Sequence, residues 1–90
     1  MELSDELLTD ISYIKISTYR SKVIKSLEND YRIPTGISKA TGIRTNHVSN
    51  VLTDLREREF VECINPEAKK GRLYRLTKKG MDVAKNLDFK

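Results

Sequence analysis

The stretch from Thr35 to Leu55 constrains this chain most, because two punctuation residues inside and before it leave few folds open. Pro34 has no backbone N–H and fixes its own φ, so no helix runs through it from the N-terminal side. Eight residues later Gly42 supplies the left-handed stop that commonly ends a helix. Between them Thr35 is expected to cap a short helix with Ile37 and Ala40 turned inward, Ala40 being small where two helices approach. Ile43 plugs the corner beneath the turn. A longer helix then starts at Arg44 or Thr45 and runs to about Arg58, with Val48, Val51, Leu52 and Leu55 at the spacing of one buried stripe. A short helix, a glycine turn and a longer helix make a helix-turn-helix, the arrangement whose second helix enters the major groove of DNA.

The flanks fill in the rest. Ser4 caps a helix over residues 4–15, with Asp5 and Glu6 at its positive end and Leu7, Leu8, Ile11 and Ile14 on one face. Ser17 caps a second helix to about Asn29, whose apolar stripe is Tyr19, Val23, Ile24, Leu27 and Tyr31. Phe60–Ile64 and Arg72–Leu76 have the length and composition of strands. Asn65-Pro66-Glu67-Ala68-Lys69-Lys70-Gly71 between them carries turn chemistry. Thr77 caps a last helix with Met81, Ala84 and Leu87 inside. The order α-α-α-α-β-β-α describes a mainly α fold with a small β-hairpin (α+β), a winged helix-turn-helix. Ninety residues without a repeat or linker form one domain over 1–90, with 1–16 as an N-terminal helical extension and 77–90 as the C-terminal helix.

Charge and composition narrow the function classes. The net charge of +4 is unevenly placed: residues 1–34 hold five Lys/Arg against six Asp/Glu, and residues 35–79 hold ten against five. An excess confined to the helix-turn-helix and hairpin is what a polyanion-facing surface requires. No apolar run reaches the roughly 18 residues of a membrane span, and the acidic start Met1–Glu6 lacks the features of a signal peptide. The expected location is therefore the cytoplasm, associated with the nucleoid. The single cysteine, Cys63, excludes an intramolecular disulfide and is expected to be a small core residue. One Cys and one His form no metal-ligand pattern, and no phosphate loop or nucleophile–base set is present, so neither a cofactor nor an enzyme is expected.

From these segments the chain resembles the winged helix-turn-helix transcriptional regulators, in particular small ArsR- and MarR-type proteins and their archaeal relatives. The resemblance runs over roughly residues 14–88. Ser17–Leu27 looks like their first core helix and Ile37–Ile43 like the second helix and turn. Val48–Leu55 followed by Phe60-Val61 looks like the recognition helix entering the first wing strand, and Arg72–Gly80 like the second wing strand and final helix. The resemblance implies DNA-dependent regulation, usually as a homodimer. Glu59 stands where such proteins commonly carry Gly, so the end of the recognition helix is expected to be shaped differently. Metal sensing, which needs a ligand cluster, is not expected.

At 100° per residue the face opposite the buried stripe of the recognition helix (about 45–58) carries Asn46, Asn50, Thr53 and Glu57, with Ser49 and His47 at its edges. Asn pairs with both the donor and acceptor of adenine, and Thr touches a thymine methyl or a phosphate. A merely solvated helix usually shows Glu and Lys there instead of these poor helix formers. Asn46, Ser49, Asn50 and Thr53 are therefore the expected base contacts. Thr35, Lys39, Arg44, Thr45 and His47 are expected to hold the DNA backbone. So are Lys69, Lys70 and Arg72 in the wing (about 65–72), on phosphates or in the minor groove. Double-stranded DNA is the expected partner. A homodimer is expected from the apolar positions Leu3, Leu7, Ile11 and Ile14 at one end and Met81, Ala84, Leu87 and Phe89 at the other. The competing reading is a winged-helix module that binds a protein of the transcription machinery, and structured RNA is a third.

Overall fold

A computed structural model describes residues 4–87. Its elements are α1 (Asp5–Lys15), α2 (Thr18–Ser26), α3 (Pro34–Thr41), α4 (Thr45–Glu57), β1 (Val61–Cys63), β2 (Tyr74–Leu76) and α5 (Lys78–Lys85). The order α-α-α-α-β-β-α and the winged helix-turn-helix architecture agree with the sequence reading, while several local details differ.

Capping sets the helix starts. Ser4 accepts from the Leu7 N–H at 3.1 Å, Ser17 from Arg20 N–H at 3.3 Å and Thr77 from Gly80 N–H at 3.1 Å. In α3 the cap position falls on Ile33, whose side chain has no acceptor to offer, and Pro34 takes the first helical position, where a missing N–H costs nothing. Thr35 is thus inside the helix and is not its cap. Helix α2 stops at Ser26, three residues before the expected end. Ser26 turns its hydroxyl back to Val23 O at 2.7 Å, and the Arg32 Nε takes the Ser26 carbonyl at 2.7 Å, so local side-chain bonds replace the next helical turn.

The core gathers Ile11, Ile14, Val23, Ile24, Leu27, Ile37, Ile43, Val48, Leu52, Leu55, Phe60, Val61, Val83 and Ala84. Four expected core residues are elsewhere. Leu8, Tyr19 and Tyr31 are exposed, as is Ala40, whose helix presents only Ile37 fully to the interior. Cys63 is half-buried, with its thiol 3.6 Å from Asn65 Oδ1. Of the residues that motivated a dimer, Ile11, Ile14 and Ala84 are buried in this chain's own core, and Leu7, Met81 and Leu87 pack against it. Leu3 and Phe89 lie outside the described residues.

The hairpin is antiparallel in the register Val61↔Leu76, Glu62↔Arg75, Cys63↔Tyr74. Its regular part is shorter than the expected Phe60–Ile64 and Arg72–Leu76. A third segment joins it on the far side of β2. Arg32 and Tyr74 exchange both backbone bonds, at 3.0 and 2.9 Å, which ties the α2–α3 connection to the wing.

The end of α4 corrects one expectation. Glu59 adopts φ 66°, the left-handed conformation a glycine would take, and Phe60 N–H closes on Leu55 O at 2.9 Å. The helix therefore ends in the ordinary glycine-type manner, with a non-glycine residue carrying a strain of about 1–2 kcal/mol. Beyond it Gly80 lets α5 lie directly on the backbone of Phe60.

Candidate nucleic-acid interface

Helices α3 and α4 meet through a tightly bonded turn. Gly42, at φ 78°, donates to Ser38 O at 2.8 Å, the Thr41 hydroxyl donates to Ile37 O, and Ile43 N–H donates back to Thr41 Oγ1. The Ser38 hydroxyl reaches over to Ile43 O, while the Ile43 side chain is buried beneath. These bonds fix how α4 leaves α3.

Helix α4 buries Val48, Val51, Leu52 and Leu55 and turns Asn46, Ser49, Asn50, Thr53 and Glu57 to solvent. The Thr53 hydroxyl donates to Ser49 O at 3.0 Å, so its proton is used within the helix and its methyl remains for an apolar contact. Asn46 and Asn50 stand one turn apart, each with a full donor and acceptor set. Thr35 and Lys39 are exposed on α3, and Arg44 and Thr45 are exposed at the start of α4. His47 is exposed as well, but it is not isolated: its ring lies 5.6 Å from that of Tyr19 on α2.

The wing tip owes its shape to Asn65. Its Oδ1 accepts from Leu73 N–H at 2.6 Å, its Nδ2 donates to Gly71 O at 3.1 Å, and its carbonyl accepts from Ala68 N–H at 3.0 Å. Gly71 takes φ 68° to close the loop. Lys69, Lys70 and Arg72 project from this frame and are exposed, although Arg72 Nε is held by Ala68 O at 2.8 Å. At the base of the hairpin Arg75 and Glu62 pair across the strands at 2.7 Å, an exposed ion pair worth little to stability. That Asn65 organises the tip is not legible from its identity, since turns in general are rich in Asn.

Two other cations are taken up by the scaffold. Arg20 lies 3.9 Å over the Tyr13 ring of α1 and donates to Tyr13 O at 3.0 Å. Lys79 reaches Arg58 O at 2.8 Å and sits over the Phe60 ring, so it braces α5 against the end of α4. Among the described residues no three His, Cys, Asp or Glu side chains gather to hold a metal, and no helix is long and apolar enough to cross a membrane.

Helix-turn-helix and hairpin define the chain as a winged helix-turn-helix fold. Among solved structures it is similar to the reduced form of MarR from E. coli, with 26% identity over 91% of this chain and 62% of that one, at a TM-score of 0.72. It is also similar to a cysteine-to-serine mutant of E. coli MarR complexed with operator DNA, with 26% identity over 92% and 61% and a TM-score of 0.71. The MepR–DNA complex from S. aureus shares the fold at 16% identity, covering 90% of this chain and 69% of that one, with a TM-score of 0.69. This chain spans about half to two thirds of the length of such neighbours. No protein-family model and no curated protein matches the sequence.

Proposed function

We propose that this chain binds double-stranded DNA with sequence preference and regulates transcription, reading bases with α4 and gripping the backbone with α3 and the wing. The observation that carries the reading is one surface: Asn46, Ser49, Asn50 and Thr53 lie exposed on a helix that a tightly bonded turn holds in place. A cationic tip framed by Asn65 stands at the end of the adjoining hairpin. Structural neighbours crystallised with DNA, including MarR with its operator, support it. Thr35, Lys39, Arg44, Thr45 and His47 then serve as phosphate contacts beside Lys69, Lys70 and Arg72. Neither a cofactor nor catalysis has a part in this reading.

The wing supplies affinity and little sequence choice. Replacing Lys69 and Lys70 together with alanine is expected to weaken binding to all duplexes by a similar factor. It should also flatten the slope of log affinity against log salt by up to about two units per subunit, because each lost cation leaves one counterion unreleased. Gel shifts over a salt series measure both effects. An unchanged slope would remove the wing from the interface, and absence of any duplex binding by the unmodified protein would remove the reading itself.

Two copies on a two-fold site are part of the proposal, with half-sites about one helical turn apart. The interface now has to use surface that the core leaves free, such as Leu8 and Ile16 of the α1 region, which are 47% and 78% exposed. Light scattering at tens of micromolar (an order-of-magnitude choice, as such dimers need not be tight) should give twice the chain mass. A monomer there, with one copy per duplex, would discard the dimer.

A further inference from the structure

We propose that Tyr19 is a DNA-backbone contact, its hydroxyl paired with His47 to hold a phosphodiester on the flank of α4 opposite the wing; this rests on the DNA-binding reading above. Tyr19 lies in the first turn of α2, outside the helix-turn-helix, and its apolar ring suggests a core residue. The structure instead leaves it 43% exposed, with its ring against the imidazole of His47 at 5.6 Å and 56°.

The placement follows from the two flanks of α4. At 100° per residue, Thr53 and Arg56 lie on one side of the exposed Asn46–Asn50 row and His47 lies on the other. The first side faces the hairpin, since Leu52, Thr53, Arg56 and Glu57 line a groove of about 320 Å³ with Tyr74 of β2. The second side faces α2 through the Tyr19–His47 contact. A helix with its side chains is about 10–12 Å across, and the major groove is about 12 Å wide. A helix seated there therefore approaches the phosphates of both strands. The wing offers cations to one strand. On the other flank the phenol of Tyr19 and the imidazole of His47 stand side by side near the start of α4, both exposed.

A phenol is suited to this position. Its O–H donates to a phosphate oxygen while its ring packs on the neighbouring imidazole, and both groups stay half in water. Asp54 is the acidic residue on the same flank of α4. It is seven residues beyond His47, about 10 Å along the axis, so the phosphate is placed at the N-terminal end of the helix.

The test is Tyr19→Phe, which keeps the ring on His47 and removes only the donor. Binding should weaken about 10-fold or more, the loss of one hydrogen bond to a charged acceptor, and by the same factor on preferred and random duplexes. The salt slope should stay unchanged, because a neutral donor releases no counterion. Scanning the preferred duplex with single methylphosphonates should reveal one position that weakens the wild type and leaves Tyr19→Phe unaffected. Tyr19→Ala should lose at least as much, with thermal melts showing both variants folded. Wild-type affinity in Tyr19→Phe, or a methylphosphonate pattern identical in both proteins, would overturn the assignment while leaving DNA binding intact. A wild type that binds no duplex would defeat the DNA-binding reading and this assignment with it.

Discussion

Gly80→Ala is expected to destabilise the fold by about 3 kcal/mol or more, at the upper end of what overpacking a well-filled site usually costs. A Cβ at this position would stand 2.1 Å from the Phe60 carbonyl oxygen and 3.1 Å from its carbon, with Leu76 Cβ at 3.3 Å. Backbone faces backbone here, so no flexible side chain can swing away. The same carbonyl accepts from Thr77 N–H at 3.0 Å, and the Thr77 hydroxyl reaches Glu59 O, so moving α5 outward would break the contacts that seat it. For a domain of this size each kcal/mol shifts the melting midpoint by about 4–8 °C, so thermal unfolding followed by circular dichroism should show a fall of about 10–25 °C. Gly36→Ala is the internal control. Its Cβ would meet Ile33 Cγ1 at 3.7 Å and Arg32 Cβ at 3.8 Å, ordinary contact distances to the side chains just before α3. Alanine there should be neutral or stabilise by up to about 1 kcal/mol. If Gly80→Ala melts like the unmodified protein, α5 does not lie against Phe60 as described.

That contrast shows why the sequence was informative in some places and silent in others. Periodicity finds a buried stripe when the stripe is continuous, as with Val48, Val51, Leu52 and Leu55, all of which are buried. It fails where a neighbouring element decides the environment. Ala40 has helical spacing from Ile37, yet it borders an open groove of about 560 Å³ against α2, lined also by Lys22, Lys25 and Arg32. Leu8 lies beside Leu7 in sequence but turns to solvent, and Tyr19 faces His47 and water because α2 packs on α4 at that end. Tertiary pairing is harder still to read. Nothing in Tyr31-Arg32-Ile33 announces that Arg32 will exchange backbone bonds with Tyr74, forty-two residues away.

Glycine positions show the same divide. Gly42 is legible because it sits at a helix end and acts locally through φ 78°. Gly80 opens a helix, where no local conformation demands glycine, and only the Phe60 backbone explains it. Glu59 is the converse case: its identity argues against a left-handed residue, and the Phe60–Leu55 closure imposes one. The exposure of the α4 row is legible because Asn46, Ser49, Asn50 and Thr53 are polar and periodic on one helix. What lay beyond sequence reasoning is the support around them, namely Asn65 in the wing, Lys79 behind α4 and Tyr19 beside His47.

Asn50→Ala is the substitution expected to cost most in recognition. Asn50 lies one turn beyond Asn46 on the exposed face of α4, with Val48 and Leu52 buried behind it. An amide that accepts from and donates to one adenine loses both bonds on truncation, so binding to the preferred site should weaken by about 1–3 kcal/mol. Binding to unrelated duplexes should change far less, because Lys39, Lys70 and Arg72 would still meet phosphates. Asn46→Ala should behave alike at a neighbouring base pair, and Glu57→Ala should alter sequence preference little, since it stands near the far end of α4 with a charge that repels phosphate. The fold should withstand all three, as alanine is the better helix former at exposed positions. Selecting bound sequences from a random duplex pool would supply the preferred site, and titrations on that site and on a scrambled one would supply the comparison. Equal losses on both would mean that these amides only support backbone contacts. No loss on either would mean that α4 faces a protein, and the domain would then be an interaction module of the transcription machinery.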